Sequence, residues 1–214
     1  MSLADYAGLR NSIVSFSGDN DVVNLLDDFI GLCEADMYSF VDRMDRPIGL
    51  RLKAMEQLTT GSTSTANAFM AYPTGYLELR RLEIALTRGN VPLYYQSPAN
   101  LITKANAGIP QYFTETSQFE FDRISDQAYT INIQYYGKLT ALSASNTTNS
   151  ILTNFPMVYL YGCLMHLYRW SRDTSEAEVY KGYFIDAING ANQTDQRSRR
   201  GPAPAMQMAN RYAP

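Results

Sequence analysis

The sequence predicts an α+β fold, and three observations carry that prediction. Apolar residues recur at helical spacing near both ends of the chain, and the stretch between them alternates apolar and polar residues in short runs broken by Gly, Pro, Asn and Ser. The composition then shifts abruptly after Asn192. The expected organisation is N-terminal helices over residues 1–48, an inserted β region over 49–140, C-terminal helices over 141–194 and an extended arm over 195–214. At 214 residues the chain is long enough for one good core, so one domain with an arm is expected rather than two full domains.

In the first segment Ser2 is placed to cap a helix in which Tyr6, Leu9, Ile13 and Phe16 share a face, and Ser17-Gly18-Asp19 ends it. A second helix follows. Its stripe is Val22, Leu26, Phe29, Ile30, Cys33, Met37, Phe40 and Val41, with Asp27, Asp28, Glu34 and Asp36 mostly off it, and it must stop before Pro47.

The clearest strand of the middle region is Tyr129 to Tyr135, where Tyr129, Ile131, Ile133 and Tyr135 face one way and Thr130, Asn132 and Gln134 the other. Phe119 and Phe121 alternate with Glu120 and Asp122 in a preceding strand. Tyr76 to Leu86 reads as a third, with the alternation slipping at Arg80-Arg81 as a bulge would make it. Gly61 to Asn67 is expected to be a polar, flexible loop or hairpin tip, and Pro98 to Lys104 a turn or two of helix.

Helices return after Ser143. A short one is expected over Asn149 to Thr153, and Pro156 suits the first turn of the next, which is apolar on nearly every side and therefore packed between partners. Ser175 and Glu178 form a capping box for a last helix whose inward stripe is Tyr180, Phe184, Ala187, Ile188 and Ala191. Beyond Asn192 no core can form, and the segment is expected to be disordered in the free monomer and either to stay so or to order on a partner. Arg197, Arg199 and Arg200, followed by Met206, Met208 and Tyr212, are of the residue types enriched at interface cores, so they are the candidate docking residues.

Composition narrows the chemistry. A net charge of -3 and a pI near 5.2 give no general attraction for a phosphate backbone, whereas a DNA conduit that must not stick remains compatible. The longest apolar stretch, Phe155 to Leu167, is shorter than the ~20 residues a membrane span needs. Met1-Ser-Leu-Ala-Asp5 lacks the basic and apolar segments of a secretion signal, so the cytoplasm is the expected place of synthesis. Cys33 and Cys163 fall in apolar helical patterns and read as buried free thiols. The single histidine, His166, lies three residues from Cys163, but a structural zinc site needs four ligands and no second pair accompanies them. Carboxylate pairs such as Asp27-Asp28 and Glu176/Glu178 read as solvated charge at helix starts. Phosphate loops, CxxC pairs and nucleophile elbows are missing from the sequence, so neither a cofactor, a metal nor a catalytic residue is expected. Sixteen tyrosines against one tryptophan, Trp170, fit a protein rich in contact surface.

Several stretches, in order and spacing, resemble the phage head-to-tail adaptor family. They are Asp28 to Met37, Tyr76 to Leu82, Pro92-Leu-Tyr-Tyr-Gln-Ser-Pro98, Pro110 to Thr114, Tyr129 to Tyr136, Leu139 to Ser143 and Asn149 to Gly162. The resemblance runs from about Ala4 to about Ser198 and departs in the Gly61 to Ala68 loop and after Arg200. It implies a core of antiparallel helices with an inserted antiparallel β region. It also implies a ring, typically of twelve copies, beneath the portal vertex, with C-terminal arms reaching the portal and the next tail or nozzle component received opposite. Such a protein is no enzyme; it sits at the head–tail junction of the virion and lets DNA pass through its lumen. The competing reading is a β-rich tail or accessory protein that contacts glycan or nucleic acid through its tyrosines.

Overall fold

The computed structural model describes residues 3–18, 21–41, 44 and 46–199. The chain forms two compact units, one from Met1–Leu52 with Ala141–Pro214 and the other from Lys53–Thr140. Among the described residues they hold five α-helices and two four-stranded sheets, a mixed α+β architecture.

The first unit is helical. Helix α1 (Tyr6–Ser17) is capped by Asp5, whose carboxylate accepts the Gly8 N–H at 2.7 Å; Ser2, the expected cap, lies outside the described residues. It ends at Gly18, where φ is 67° and the N–H returns to the Val14 carbonyl at 3.0 Å. A short 3-10 helix (Asp21–Leu25) leads into α2 (Leu26–Ser39), which buries Leu26, Phe29, Ile30, Cys33 and Met37. The stripe was expected to continue to Val41. Instead the backbone extends at Phe40, and Val41 pairs with Pro47 in an isolated antiparallel bridge.

Helix α3 (Ser150–Asn154) is capped by Asn149, and α4 (Pro156–Trp170) opens on Pro156 as expected. Helix α4 packs against both α2 and α5, which is why it is apolar nearly all round. At their junction stands Gly162. A Cβ there would collide with the Cys33 sulfur and come within 2.9 Å of the Phe184 ring, so only glycine admits the approach.

Helix α5 (Thr174–Arg199) differs from expectation at both ends. Its first turn is capped by Asp173, which accepts the Glu176 N–H at 3.1 Å, because Ser175 already lies inside the helix. At the other end the helix runs on through Arg199, taking in the first five positions of the segment expected to be an extended arm. Local bonds sustain it where no core remains. Arg199 pairs with Asp195 four residues back at 2.6 Å, and the Thr194 and Ser198 hydroxyls bond to the carbonyls of Gly190 and Asp195.

The second unit is built of strands β1 (Glu56–Ser62), β2 (Phe69–Met70), β3 (Tyr76–Leu86), β4 (Gly89–Pro92), β5 (Tyr94–Tyr95), β6 (Tyr112–Glu115), β7 (Phe119–Phe121) and β8 (Thr130–Gly137). One sheet has the order β1-β8-β3-β4 and is wholly antiparallel; the other has the order β2-β7-β6-β5, with β5 and β6 parallel. Strand β3 is irregular against β8 between Leu79 and Arg81, at the expected slip, and again between Tyr76 and Glu78. The alternation of β8 puts Ile131, Ile133 and Tyr135 into one apolar cluster with Leu82 and Ile84 of β3. Met70, Phe113, Phe119 and Phe121 of the second sheet complete it.

Two local expectations are corrected here. Gly61 and Ser62 belong to β1, and Thr63 is buried with its hydroxyl accepting the Tyr129 N–H, so the polar loop starts later. Pro98 to Lys104 makes a single turn, with the Asn100 and Leu101 N–H groups on the Ser97 carbonyl, and no helix. Asp122, which follows directly on β7, is 1% exposed.

Candidate functional site: the arm-bearing helix and its anchorage

Of the six docking candidates, the structure describes Arg197 and Arg199; Arg200, Met206, Met208 and Tyr212 lie outside the described residues. Both arginines stand in the last turn of α5, where cations oppose the negative end of the helix dipole. They are not equivalent. Arg197 is exposed, while Arg199 is half-buried and tied to Asp195.

The end of α5 is anchored by a residue that the sequence does not single out. Asn192 accepts the Arg51 N–H at 3.0 Å and donates to the Gly49 carbonyl at 3.3 Å. The same short segment closes the C-terminus of α2. The Ile48 and Leu50 N–H groups bond to the carbonyls of Phe40 and Met37, and the Arg51 guanidinium donates to the Tyr38 carbonyl at 3.1 Å. A Cβ at Gly49 would strike that Tyr38 carbonyl, so the segment can lie so close only as glycine. A lone polar residue late in a helix carries no sequence signal of such a bond, since Asn is common there for other reasons.

A second polar node joins α2, α3 and α4. Asn149 donates to the Tyr159 hydroxyl at 2.7 Å, Tyr159 donates to Glu34 at 2.9 Å, and Glu34 also accepts the Leu142 N–H at 2.8 Å. Tyr159 is fully buried. Burial pushes the Glu34 carboxyl above its usual range, and the two hydrogen bonds it accepts only partly offset this. Burial and the neighbouring Glu34 likewise raise the Tyr159 phenol, which stays protonated and donating.

The tyrosines sort themselves along α4 and α5. Tyr168 stacks on Tyr180 with ring centres 5.2 Å apart, and Tyr161 and Tyr183 continue the cluster at 5.4 Å from each other. Tyr183 and Val179 are exposed on α5, and Trp170 is 53% exposed at the end of α4 with its edge to Phe29. The β unit has its own exposed apolar side chains, among them Leu58 on β1, Tyr94 and Tyr95 on β5, and Ile102. Half-wet aromatic and aliphatic groups of this kind are contact material for proteins.

The groups weighed for chemistry are otherwise engaged. Burial pushes the Cys33 thiol up, with the Cys163 thiol beside it adding to the effect, and both sulfurs are enclosed. His166 Nε2 lies 3.1 Å from Asp36. Asp27 is held by Arg10 and by the Tyr6 hydroxyl rather than standing in solvent alone. Among the described residues no three His, Cys, Asp or Glu side chains converge as metal ligands would.

A model of the SU10 adaptor protein family matches residues 4–207, nearly the whole chain. The chain belongs to that family. Comparison with curated proteins finds no match. Membership makes the protein a structural phage adaptor, and it implies a place at the head–tail junction of a virion, with portal and tail proteins as its partners. No helix among the described residues is long and apolar enough to cross a membrane.

Proposed function

We propose that this adaptor forms a ring, typically of twelve copies, beneath the portal. The ring completes the filled head, helps retain its DNA and offers the surface on which the next tail or nozzle protein assembles. The helices of the first unit act as an antiparallel bundle that stacks side to side, the inserted strands form a separate β region, and the residues beyond α5 are the arm. Arg197, Arg199, Arg200, Met206, Met208 and Tyr212 dock on the portal, with assembly in the host cytoplasm. DNA passes through the lumen without sequence-specific contact, in keeping with a chain that carries a net charge of -3.

The observation that carries this reading is the family match, which starts before α1 and extends past Arg199 into the arm. The polar α5 end, rich in arginine and held by Asn192, supports it as a root for a docking segment. A closed ring needs two complementary flanks on each subunit, and many weak arms acting together give firm attachment.

The test is co-sedimentation with portal. Protein truncated after Arg199, which keeps α5 whole, is expected to remain folded and to lose portal binding. Tyr212→Ala is expected to weaken docking more than Asp28→Ala, a change at an exposed position on α2. Undiminished portal binding by the truncated chain removes the arm from the reading.

A further inference from the structure

Within the β unit, the antiparallel sheet β1-β8-β3-β4 has two edges, β1 and β4. The ladder fixes which backbone groups each edge presents. The Thr63 N–H bonds to the Tyr129 carbonyl in the β1–β8 register, so the alternation turns the N–H and C=O groups of Leu58 and Thr60 away from β8. The Leu93 N–H bonds to the Leu82 carbonyl in the β3–β4 register, so Asn90 and Pro92 turn away from β3. Pro92, with no N–H to give, stands where an edge strand admits it. Among the described residues neither edge bears a further strand, and each presents one exposed apolar side chain, Leu58 at 75% on β1 and Val91 at 45% on β4.

We propose that β1 of one copy adds to β4 of the next, and that this strand addition is a side-to-side contact of the ring; the inference rests on the ring reading. Direction fits, because the two edges of a four-stranded antiparallel sheet run opposite ways, so β1 beside a neighbour's β4 continues the alternation. Faces fit as well. Thr60, Asn132, Glu83 and Pro92 lie in one row across the sheet, so the outward residues of both edges carry their side chains on the same polar face. With Thr60 opposite a neighbour's Asn90, that pair exchanges two hydrogen bonds and the Leu58 N–H reaches the Pro92 carbonyl. The same register sets Leu58 beside Pro92 on one face and Thr59 beside Val91 on the other, covering both exposed apolar side chains. The edges differ, as a heterologous contact that closes a ring requires, whereas β1 on β1 would be two-fold and stop at two copies. Since Pro92 returns no bond to the Leu58 carbonyl, each contact is weak and only the closed ring is firm.

Thr59 and Val91 are the non-hydrogen-bonded pair of this register, with Cα atoms about 4.5 Å apart between copies. Within one chain they stand on opposite edges of the sheet, three strand spacings or about 14 Å apart, too far for a disulfide. The experiment takes the full chain as Thr59→Cys/Val91→Cys, assembles it on portal and oxidises it with glutathione disulfide; the native Cys33 and Cys163 are buried. Electrophoresis without reductant is expected to show a ladder of dimers, trimers and higher species that reductant collapses to monomer, while each single-cysteine variant stays monomeric. In the unmodified chain, the Leu58, Thr60 and Asn90 amides are expected to exchange hydrogen about tenfold more slowly in the ring than in the free chain, as the gain of one hydrogen bond each dictates.

The exchange measurement needs no substitution, so it decides the matter even if the cysteine variant fails to fold. Electron microscopy of the same samples tells the two readings apart. Rings on portals with unchanged exchange at these amides place the side-to-side contact elsewhere and overturn the strand addition alone. A dimer formed by Thr59→Cys by itself means that β1 pairs with β1, which overturns it too. Portals that carry no ring of the unmodified chain sink the ring reading, and the strand addition falls with it.

Discussion

Asp122 shows how a single carboxylate can hold a loop-rich region together. Burial works against its charge, yet the N–H groups of Gln111 and Tyr112 at 2.9 and 3.2 Å, with Lys104 and Arg123 at 3.2 Å, hold its carboxyl below the ordinary range. Removing it as Asp122→Ala strands two amides and two cations, and a loss of about 3 kcal/mol is expected in urea denaturation. Because its folded pKa is depressed, the stability it confers is fully present above the unfolded value, about 3.9, and is lost as pH falls through the folded value below it. Glu34 has the opposite sign. Its folded pKa is raised, so its contribution is greatest below the unfolded value, about 4.3, and declines as pH rises from there to the folded value. Stability measured from pH 2 to 7 is expected to lose its most acidic fall in Asp122→Asn and its decline above about pH 4 in Glu34→Gln.

At the scale of elements, the junction of α2, α4 and α5 depends on the absence of one methyl group. Gly162→Ala forces a Cβ onto the Cys33 sulfur and the Phe184 ring, both fully buried, so a loss of about 1–3 kcal/mol is expected by thermal denaturation. At the start of α3, Asn149→Ala removes both a helix cap and the bond to Tyr159, and about 1–2 kcal/mol is expected from the same measurement. The apolar stripes of α2 and α5 and the alternation of β8 were legible in the sequence because burial follows period directly. Cap positions were less so. Asp5 and Asp173 displaced Ser2 and Ser175 as the expected caps, and a stripe alone does not say which of several nearby oxygens meets a free N–H. The end of α5 was misplaced for a related reason: Asp195 with Arg199 and the hydroxyls of Thr194 and Ser198 extend a helix locally, without any apolar pattern. Asn192 and Gly49 were not legible at all, since their bond joins positions far apart in the chain and uses the side chain of one with the backbone of the other.

At the scale of the whole molecule, the proposed docking residues follow one another along the C-terminal end of the chain. Arg197 and Arg199 stand in the last turn of α5 and the Met and Tyr candidates follow in the sequence, so on the proposed reading each subunit contributes a single arm. On the ring reading, firm attachment is then a property of the assembly, because once one arm is seated the others bind at high effective concentration. This has a consequence for mixed assemblies. When full chain is blended with protein truncated after Arg199, portal occupancy is expected to stay nearly constant while most subunits carry arms and then to collapse over a narrow range of composition. Co-sedimentation across the titration reads this directly. A decline in simple proportion to the truncated fraction would mean that each arm binds independently, and the side-to-side contacts of the ring would then contribute nothing to attachment.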